Sequence, residues 1–278
     1  MTVADRASDA ASEPVGFAAE LAFATSLAIR AGIVLMDRYE RVERVDHKSA
    51  RDVVTEVDHL SEALIVDAIR GSYPGDAIIA EESGAHEPLG DGPSTAASRT
   101  WLVDPLDGTV NYANGLPLFC VSIALAVDAR PAVGVVHDPA RGETFAATID
   151  GVATLDDRPV RASDKDALTD LVIALGLGGR AVATRGRRVR KAIRVSRNLG
   201  SAALSLAYVA NGRFDAFIQQ GGLSSWDVAA AGLIAERAGA TVTDMAGDAW
   251  FDLARPTRTI GILAAPPAHH SALLDLAR

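Results

Sequence analysis

The stretch from Phe119 to Val160 constrains the fold of this chain more than any other. β-prone runs such as CVSIALAV, AVGVVH and ETFAATI alternate there with turn-forming runs such as DARP and DPARG. Short strands separated by tight turns are typical of antiparallel neighbours in one sheet. The sequence therefore predicts an antiparallel meander against which the other elements must pack.

Helical and strand patterns are mixed through the rest of the chain. Apolar spacing predicts helices in FAAELAFATSLAIRAGIVLM from Phe17, after Thr55, in SAALSLAYVANG and in SSWDVAAAGLIAERAGA. The runs AIIA, LVIALGL and RFDAFIQ predict strands. The polar residues before Thr55 and the Gly-, Pro- and Ser-rich run after Ser83 predict loops. This mixture predicts a layered α/β fold.

Length and composition set the expected organisation. With 278 residues, 49% of them hydrophobic, the chain can bury a substantial core. We expect a disordered tail over residues 1–14, an N-terminal α+β half over residues 15–160 and a C-terminal α/β half over residues 161–278.

The charge balance and the single cysteine limit the classes of partner and compartment. A net charge of −9 argues against a general nucleic-acid or membrane-surface binder, because such proteins carry a positive footprint. Cys120 has no cysteine partner for a disulfide and is interpreted as a small buried hydrophobe, which fits a reducing compartment such as the cytoplasm. Glu20 and Arg30 interrupt the first apolar helix, which is therefore expected to be a buried helix and not a membrane span.

Acidic side chains stand at the ends of four predicted elements. They are Asp58 and Asp227 at helix starts, and Glu81, Glu82, Asp104 and Asp107 after strands. Each has an ordinary explanation when taken singly, since an aspartate at a helix start is usually a cap. Together they raise the possibility of a shared metal ion.

The run WLVDPLDGTVNY at residues 101–112 is harder to explain by structure alone. Pro105 lacks an N–H and fixes φ, so we expect it to end the strand and to aim Asp104 and Asp107 at one point. The turn would also leave the Leu106 carbonyl available as a ligand. An all-oxygen set of this kind suits Mg²⁺.

A phosphate site is predicted next to this metal site. Gly108 and Thr109 begin a short helix, whose unpaired N–H groups attract anions. The Thr109 hydroxyl would lie beside a water molecule at the metal, and Asp58 could accept its proton.

These motifs resemble those of the inositol monophosphatase family. WLVDPLDGTVNY resembles the family's first signature and WDVAAAGLIAERAGATVTD its second, while DVVTEVD, AEESG and GSAALSLAYVANGRFDAF match in kind and order. The resemblance covers most of residues 45–245. It implies a five-layered α-β-α-β-α sandwich of the inositol monophosphatase and fructose bisphosphatase type. It also implies a lithium-sensitive, Mg²⁺-dependent phosphatase that forms a homodimer.

The resemblance also implies roles for individual residues. Two or three Mg²⁺ ions would be bound by Glu81, Asp104, the Leu106 carbonyl, Asp107 and Asp227. Thr109 and Asp58 would orient the attacking water, with support from Glu82. Gly108 and Thr109 would bind phosphate through their amides, and Ala202 would approach the polyol. The implied reaction is in-line attack of the activated water on phosphorus, without a phosphoenzyme.

The substrate is less tightly specified than the chemistry. Inositol phosphatases typically place a glutamate shortly before the second signature, and this chain has Gln219 or Gln220 there. Glutamine brings no charge, which weakens the prediction of inositol 1-phosphate. Fructose 1,6-bisphosphate, histidinol phosphate and a 3′-phosphorylated nucleotide remain alternatives within the class of small phosphorylated sugars and polyols.

The segment RGRRVRKAIRVSR at residues 185–197 carries seven basic side chains. Three interpretations remain open: a solvated helix face with dimer contacts, an electropositive rim for a second phosphate or nucleotide, or a contact surface for RNA or RNA polymerase in a regulatory protein of the same fold. The complete acidic set favours an enzyme, because crowded carboxylates repel one another unless a cation offsets their charge.

Overall fold

The computed structural model of the protein describes residues 16–41, 45–49, 52–89, 98–176 and 180–278, so the expected tail over residues 1–14 lies outside the described residues. The described helices are α1 (Ala18–Arg38), α2 (Glu56–Ser72), α3 (Thr109–Ala113), α4 (Arg180–Ala192), α5 (Ala202–Ala207), α6 (Ser225–Arg237) and α7 (Pro267–Ala277). The described strands are β1 (Val45–Ser49), β2 (Asp52–Thr55), β3 (Ala77–Ala80), β4 (Gly84–His86), β5 (Arg99–Asp107), β6 (Cys120–Val127), β7 (Arg130–Asp138), β8 (Glu143–Thr148), β9 (Thr154–Leu155), β10 (Arg158–Pro159), β11 (Val172–Gly176), β12 (Val195–Arg197), β13 (Ala216–Leu223), β14 (Thr241–Asp244) and β15 (Ile260–Ala265).

Two sheets organise the described part of the chain. The larger has eight strands in the order β10-β9-β8-β7-β6-β5-β3-β4, and the smaller has five in the order β12-β11-β13-β15-β14. Strands β6 to β10 pair with their sequence neighbours in antiparallel fashion, which confirms the predicted meander. Strand β3 pairs with β5 in parallel, so the carboxyl ends of both strands meet at one edge.

Helices cover both sheets and separate them. Helices α1 and α2 pack on the outer face of the eight-stranded sheet, α5 and α6 lie between the sheets, and α4 and α7 pack on the five-stranded sheet from its other side. Each of the three helix layers encloses its own apolar core. The order of layers is therefore α-β-α-β-α, as the sequence resemblance implied.

Helix α1 is long and apolar enough, by length and composition alone, to cross a membrane. One face packs into the core through small and branched side chains such as Ala24, Leu27, Ala31 and Leu35. The opposite face carries exposed apolar side chains, with Ile33 56% exposed. The expected buried helix is thus buried on one face only.

The structure corrects the expected end of the strand at Pro105. Strand β5 continues to Asp107, and its pairing with β6 becomes irregular between Asp104 and Asp107. Proline cannot donate to the ladder, but an irregularity of this kind absorbs the missing bond without ending the strand.

Three further expectations need adjustment. The polar residues before Thr55, expected as a loop, form the β1–β2 hairpin. The loop expected after Ser83 contains the short strand β4. The helix expected over residues 201–212 ends at Ala207 and continues as turns.

Helix α6 begins as predicted, because Ser224 and Asp227 form a capping box there.

Candidate active site

A cleft of about 520 Å³ is lined by residues of both sheets and of the helices between them. Its wall includes the end of β5, the start of α3, the starts of α5 and α6, and parts of β11 and β13. Its volume lies within the roughly 300–1,000 Å³ that is usual for small-molecule sites.

Three carboxylates converge in this cleft. Asp104, Asp107 and Asp227 each place an oxygen within 4.8 Å of the others. Residues three apart in a regular strand point to opposite faces, so Asp104 and Asp107 can share a site only because β5 is irregular between them. Asp227 comes from the first turn of α6, where its Oδ2 accepts the Ser224 N–H at 2.6 Å.

The protonation behaviour of this cluster fits a bound cation. Burial, and then the charges of Glu81, Asp107 and Asp227, hold the pKa of Asp104 well above its usual range. Burial, and then the charge of Asp107, raise the pKa of Asp227 to about 8. Asp104 is buried and the other two acids are largely shielded from solvent, so three ionised carboxylates this close would repel one another strongly without a compensating positive charge. Their oxygen donors suit a hard divalent cation such as Mg²⁺.

Glu81 and Glu82 follow β3, and Glu81 lies beside the cluster, whereas Glu82 is not among the described residues that line the cleft. Glu81 lines the cleft and donates its N–H to the Val103 carbonyl at 3.1 Å. The turn that carries both residues is held by Glu62, whose carboxylate accepts the N–H groups of Glu82 and Ser83, each at 2.8 Å. Sequence reasoning missed Glu62, because an acid in the middle of a helix is usually solvated.

Thr109 and Asp58 are brought together as predicted. The Thr109 hydroxyl lies 3.0 Å from Asp58 Oδ1 and 3.0 Å from the Leu106 carbonyl oxygen. Thr55 donates its N–H and its hydroxyl to Asp58 Oδ2, so the other carboxylate oxygen faces Thr109. Burial raises the pKa of Asp58, although the Thr55 and Thr109 hydrogen bonds oppose the shift.

Gly108 makes the turn from β5 into α3. Its φ of +97° lies in the left-handed region, and a Cβ there would come within 2.9 Å of the Leu118 carbonyl oxygen. Only glycine fits this position. Gly108 and Thr109 both line the cleft at the start of the five-residue helix α3.

The start of α5 holds Asp107 from the other side. Asp107 Oδ2 accepts from the Ser201 hydroxyl and, at 2.7 Å, from the Ala203 N–H. Ala202 lines the cleft, and its N–H donates to Asp107 Oδ1 at 3.2 Å. Sequence reasoning named Ala202 but missed Ser201, although a serine before an apolar helical run is the usual signal of an N-cap.

Comparison with known proteins agrees with this geometry. The model of the inositol monophosphatase family matches residues 18–278. The chain belongs to the inositol monophosphatase family. This family is metal-dependent, in keeping with the acidic cluster.

Relatives within the inositol monophosphatase family carry different names. A protein of Pasteurella multocida named Nus factor SuhB is 40% identical over 237 residues, which cover 82% of this chain and 85% of the relative. A Thermotoga maritima protein named fructose-1,6-bisphosphatase/inositol-1-monophosphatase is 37% identical over 231 residues, with the same coverage. The crystal structure of the extragenic suppressor protein suhB from Bartonella henselae superposes with a TM-score of 0.86 at 32% identity, covering 94% of this chain and 99% of that one.

The two glutamines of this inositol monophosphatase family member have different environments. Gln219 lines the cleft, and its amide donates to the Gly221 carbonyl at 3.3 Å. Gln220 donates to the Ala277 carbonyl and accepts from Arg185, and it is not among the described residues that line the cleft. Gln219 is therefore the better placed of the two. The cleft also contains Arg258, which sequence reasoning missed.

Proposed function

We propose that this protein is a Mg²⁺-dependent phosphomonoesterase that hydrolyses a sugar or polyol phosphate, with inositol 1-phosphate as the leading substrate. The observation that carries the proposal is the convergence of Asp104, Asp107 and Asp227 in the cleft that Thr109 also lines, with Thr109 hydrogen-bonded to the buried Asp58. In this proposal two or three ions are held by Glu81, Asp104, the Leu106 carbonyl, Asp107 and Asp227.

When bound, the Mg²⁺ ions would stabilise negative charge and lower the pKa of water. The chain's own groups then act on that water and on the phosphate. The Thr109 oxygen accepts a proton from the water while its hydroxyl proton passes to Asp58 Oδ1, whose pKa is raised by burial and which is therefore the stronger base. The amides of Gly108 and Thr109 bind the phosphate oxygens, and Glu82 supports the water.

The neutral side chain of Gln219 does not single out one substrate, so the substrate has to be tested. A neutral amide hydrogen-bonds a hydroxyl without the charge of a glutamate. Fructose 1,6-bisphosphate, histidinol phosphate and a 3′-phosphorylated nucleotide are therefore the rival substrates, and the bifunctional name of the Thermotoga maritima relative supports the first of them. In this proposal the enzyme is also inhibited by lithium, forms a homodimer and is located in the cytoplasm.

Phosphate release from inositol 1-phosphate, measured with Mg²⁺ and with a chelator, tests this function. Activity should require Mg²⁺, and Asp104→Asn should lower kcat/KM by on the order of 10²–10³, the equivalent of several kcal/mol of lost charge stabilisation. The exposed Asp67 on α2 supplies the matched control, since Asp67→Asn makes the same change away from the cleft. Equal activity of the Asp104 and Asp67 variants would refute the proposed site.

A second candidate function is supported by the basic segment 185–197. Six of its seven basic side chains are exposed: Arg187, Arg188, Arg190, Lys191, Arg194 and Arg197. Arg194 is paired with Asp170, and no acidic residue occurs within the segment. Relatives are named Nus factor, a name that points to a transcription complex. We infer a single-stranded RNA contact on this surface as the alternative to catalysis.

Fluorescence anisotropy with a labelled single-stranded RNA tests the alternative. The binding constant should fall as salt is added. A plot of its logarithm against the logarithm of the salt concentration should have a negative slope of about 0.7 per phosphate contact. Replacing Arg187, Arg188, Arg190 and Lys191 with glutamine should flatten that slope, whereas Arg130→Gln and Arg158→Gln on the other sheet should not. Binding that persists unchanged in the fourfold variant would exclude this surface.

A further inference from the structure

Asn111 on α3 lies between two walls of the cleft. The α3 wall consists of residues 108–110, and the α5 wall lies within residues 198–202, directly before and at the start of α5. Asn111 is 8% exposed and is not among the described residues that line the cleft. Its side chain therefore acts on the walls and not on a bound molecule.

The amide nitrogen of Asn111 donates to two carbonyl oxygens from distant parts of the chain. Nδ2 lies 2.6 Å from the Leu118 oxygen and 2.7 Å from the Leu199 oxygen, and Leu199 is 88 residues away in the sequence. Both partners can only accept, so they fix the orientation of the amide and occupy both of its N–H groups. An aspartate of the same shape has no donor for either carbonyl.

The backbone of the α5 wall packs directly on this amide. Gly200 has a φ of +78°, and a Cβ there would lie 2.9 Å from Asn111 Nδ2. Glycine is therefore required for the two to approach this closely. The residues that follow Gly200, at the start of α5, are those that donate hydrogen bonds to Asp107. The contact with Asn111 thus fixes the α5 wall at the point where it meets the acidic cluster.

A second asparagine at the end of α3 shows that this link is specific to Asn111. Asn114 is exposed, and its Nδ2 donates to the Val110 carbonyl at 2.7 Å, within the same helix. It makes no described hydrogen bond to the α5 wall. Asn114 therefore provides a matched control for substitution of Asn111.

We propose that Asn111 is a positioning residue for substrate binding, because its bond to Leu199 sets the separation of the α3 and α5 walls. This inference rests on the proposed phosphatase function, in which Gly108 and Thr109 bind phosphate and Ala202 approaches the polyol. A substrate held at both ends binds well only when the walls keep their separation. The step at phosphorus depends on the α3 wall alone, so loss of the link weakens substrate binding more than it slows chemistry.

Steady-state kinetics at saturating Mg²⁺ test this role. The substrate is whichever of inositol 1-phosphate and its three rivals the wild type hydrolyses fastest. Asn111→Ala should raise KM by about tenfold and change kcat by less than about threefold, whereas Asn114→Ala should leave KM unchanged. Gly200→Ala pushes the same contact apart from the other side and should also raise KM. Thermal unfolding of each variant shows whether it is folded.

The outcomes separate this inference from the function on which it rests. An unchanged KM in the Asn111 and Gly200 variants, or a lower kcat at constant KM, overturns the positioning role and leaves the phosphatase proposal standing. An equal rise of KM in Asn114→Ala also overturns it. Failure of both the Asn111 and Gly200 variants to fold assigns Asn111 a structural role and has the same consequence. Hydrolysis of none of the four substrates by wild type in Mg²⁺ refutes the proposed function and this inference together.

Discussion

Thr109 has one hydroxyl hydrogen and two acceptors at equal distance. Asp58 Oδ1 and the Leu106 carbonyl oxygen both lie 3.0 Å from its Oγ1. In the proposed function the Leu106 carbonyl oxygen would help to hold a cation, which would make it a poorer acceptor and leave Asp58 Oδ1 as the acceptor of the Thr109 hydroxyl proton. The direction of the Thr109 hydroxyl, and with it the orientation of the attacking water, would then depend on metal binding.

Replacement of Thr109 tests that coupling. Thr109→Val keeps the branched shape and removes the hydroxyl, so kcat should fall by on the order of 10²–10³ while KM changes little, as expected for loss of general-base assistance. Thr109→Ser keeps the hydroxyl and should lose far less. Steady-state kinetics at saturating Mg²⁺ provide both values. A valine variant with a kcat close to that of wild type would remove Thr109 from the mechanism.

At the scale of elements, the turn between β3 and β4 positions Glu81 and depends on Glu62. The Glu62 side chain is 4% exposed, and its two oxygens accept the N–H groups of Glu82 and Ser83. A hydrogen-bond chain from Arg70 through His86 to Ser83 supports the same turn from its other end. Two independent contacts thus restrict the direction of Glu81.

Glu62→Gln should therefore weaken metal binding without abolishing chemistry. An amide accepts at only one of its two ends, so one turn N–H loses its partner. We expect the Mg²⁺ concentration for half-maximal activity to rise by about tenfold, with kcat at saturating Mg²⁺ less affected. Glu87→Gln, at an exposed position after β4, is the matched control. Equal half-maximal Mg²⁺ concentrations in the two variants would contradict a positioning role for Glu62.

The elements differed in how well the sequence predicted them. Helix α6 and the β6–β10 meander were predicted because caps, turn residues and apolar periodicity all agreed. The β1–β2 hairpin was missed because VDHKS has no apolar alternation to indicate a strand. Strand β5 was predicted to end at Pro105, because the missing N–H of the proline was expected to stop the pairing of the strand. Local patterns predict elements, but an irregular strand requires knowledge of its partner.

At the scale of the whole molecule, the site forms where the eight-stranded sheet packs against the helices that separate the two sheets. Asp104 lies on the eight-stranded sheet, and Asp227 lies on a helix that separates the two sheets. The sequence predicted that each residue stands at an element end. Spacing could not predict their separation within 4.8 Å, and only the family resemblance implied it. Packing between the layers therefore brings Asp104 and Asp227 close together, and their mutual repulsion destabilises the fold.

Burial of these acids, and then their mutual repulsion, makes the stability of the metal-free protein depend on pH. The pKa of Asp227 is raised from 3.8 to about 8 in the folded state, so the folded state binds more protons than the unfolded state between these values. Stability is then greatest below the unfolded pKa and is lost as the pH rises toward about 8. The raised pKa values of Asp104 and Asp107 act in the same direction.

Thermal unfolding with Mg²⁺ and with a chelator should expose this dependence. At pH 8.5 a hundredfold excess of Mg²⁺ over its Kd should raise the midpoint by roughly 5–10 °C. At pH 5 Asp227 is protonated, and protons compete with the metal for this site, so the rise should be much smaller. Asp227→Asn removes one charge, and in the presence of chelator at pH 8.5 it should unfold at a higher temperature than wild type. The contradicting result is a difference in thermal midpoint between wild type and Asp227→Asn, both in chelator, that is the same at pH 5 and at pH 8.5. The carboxylates would then not repel one another strongly enough to require a cation.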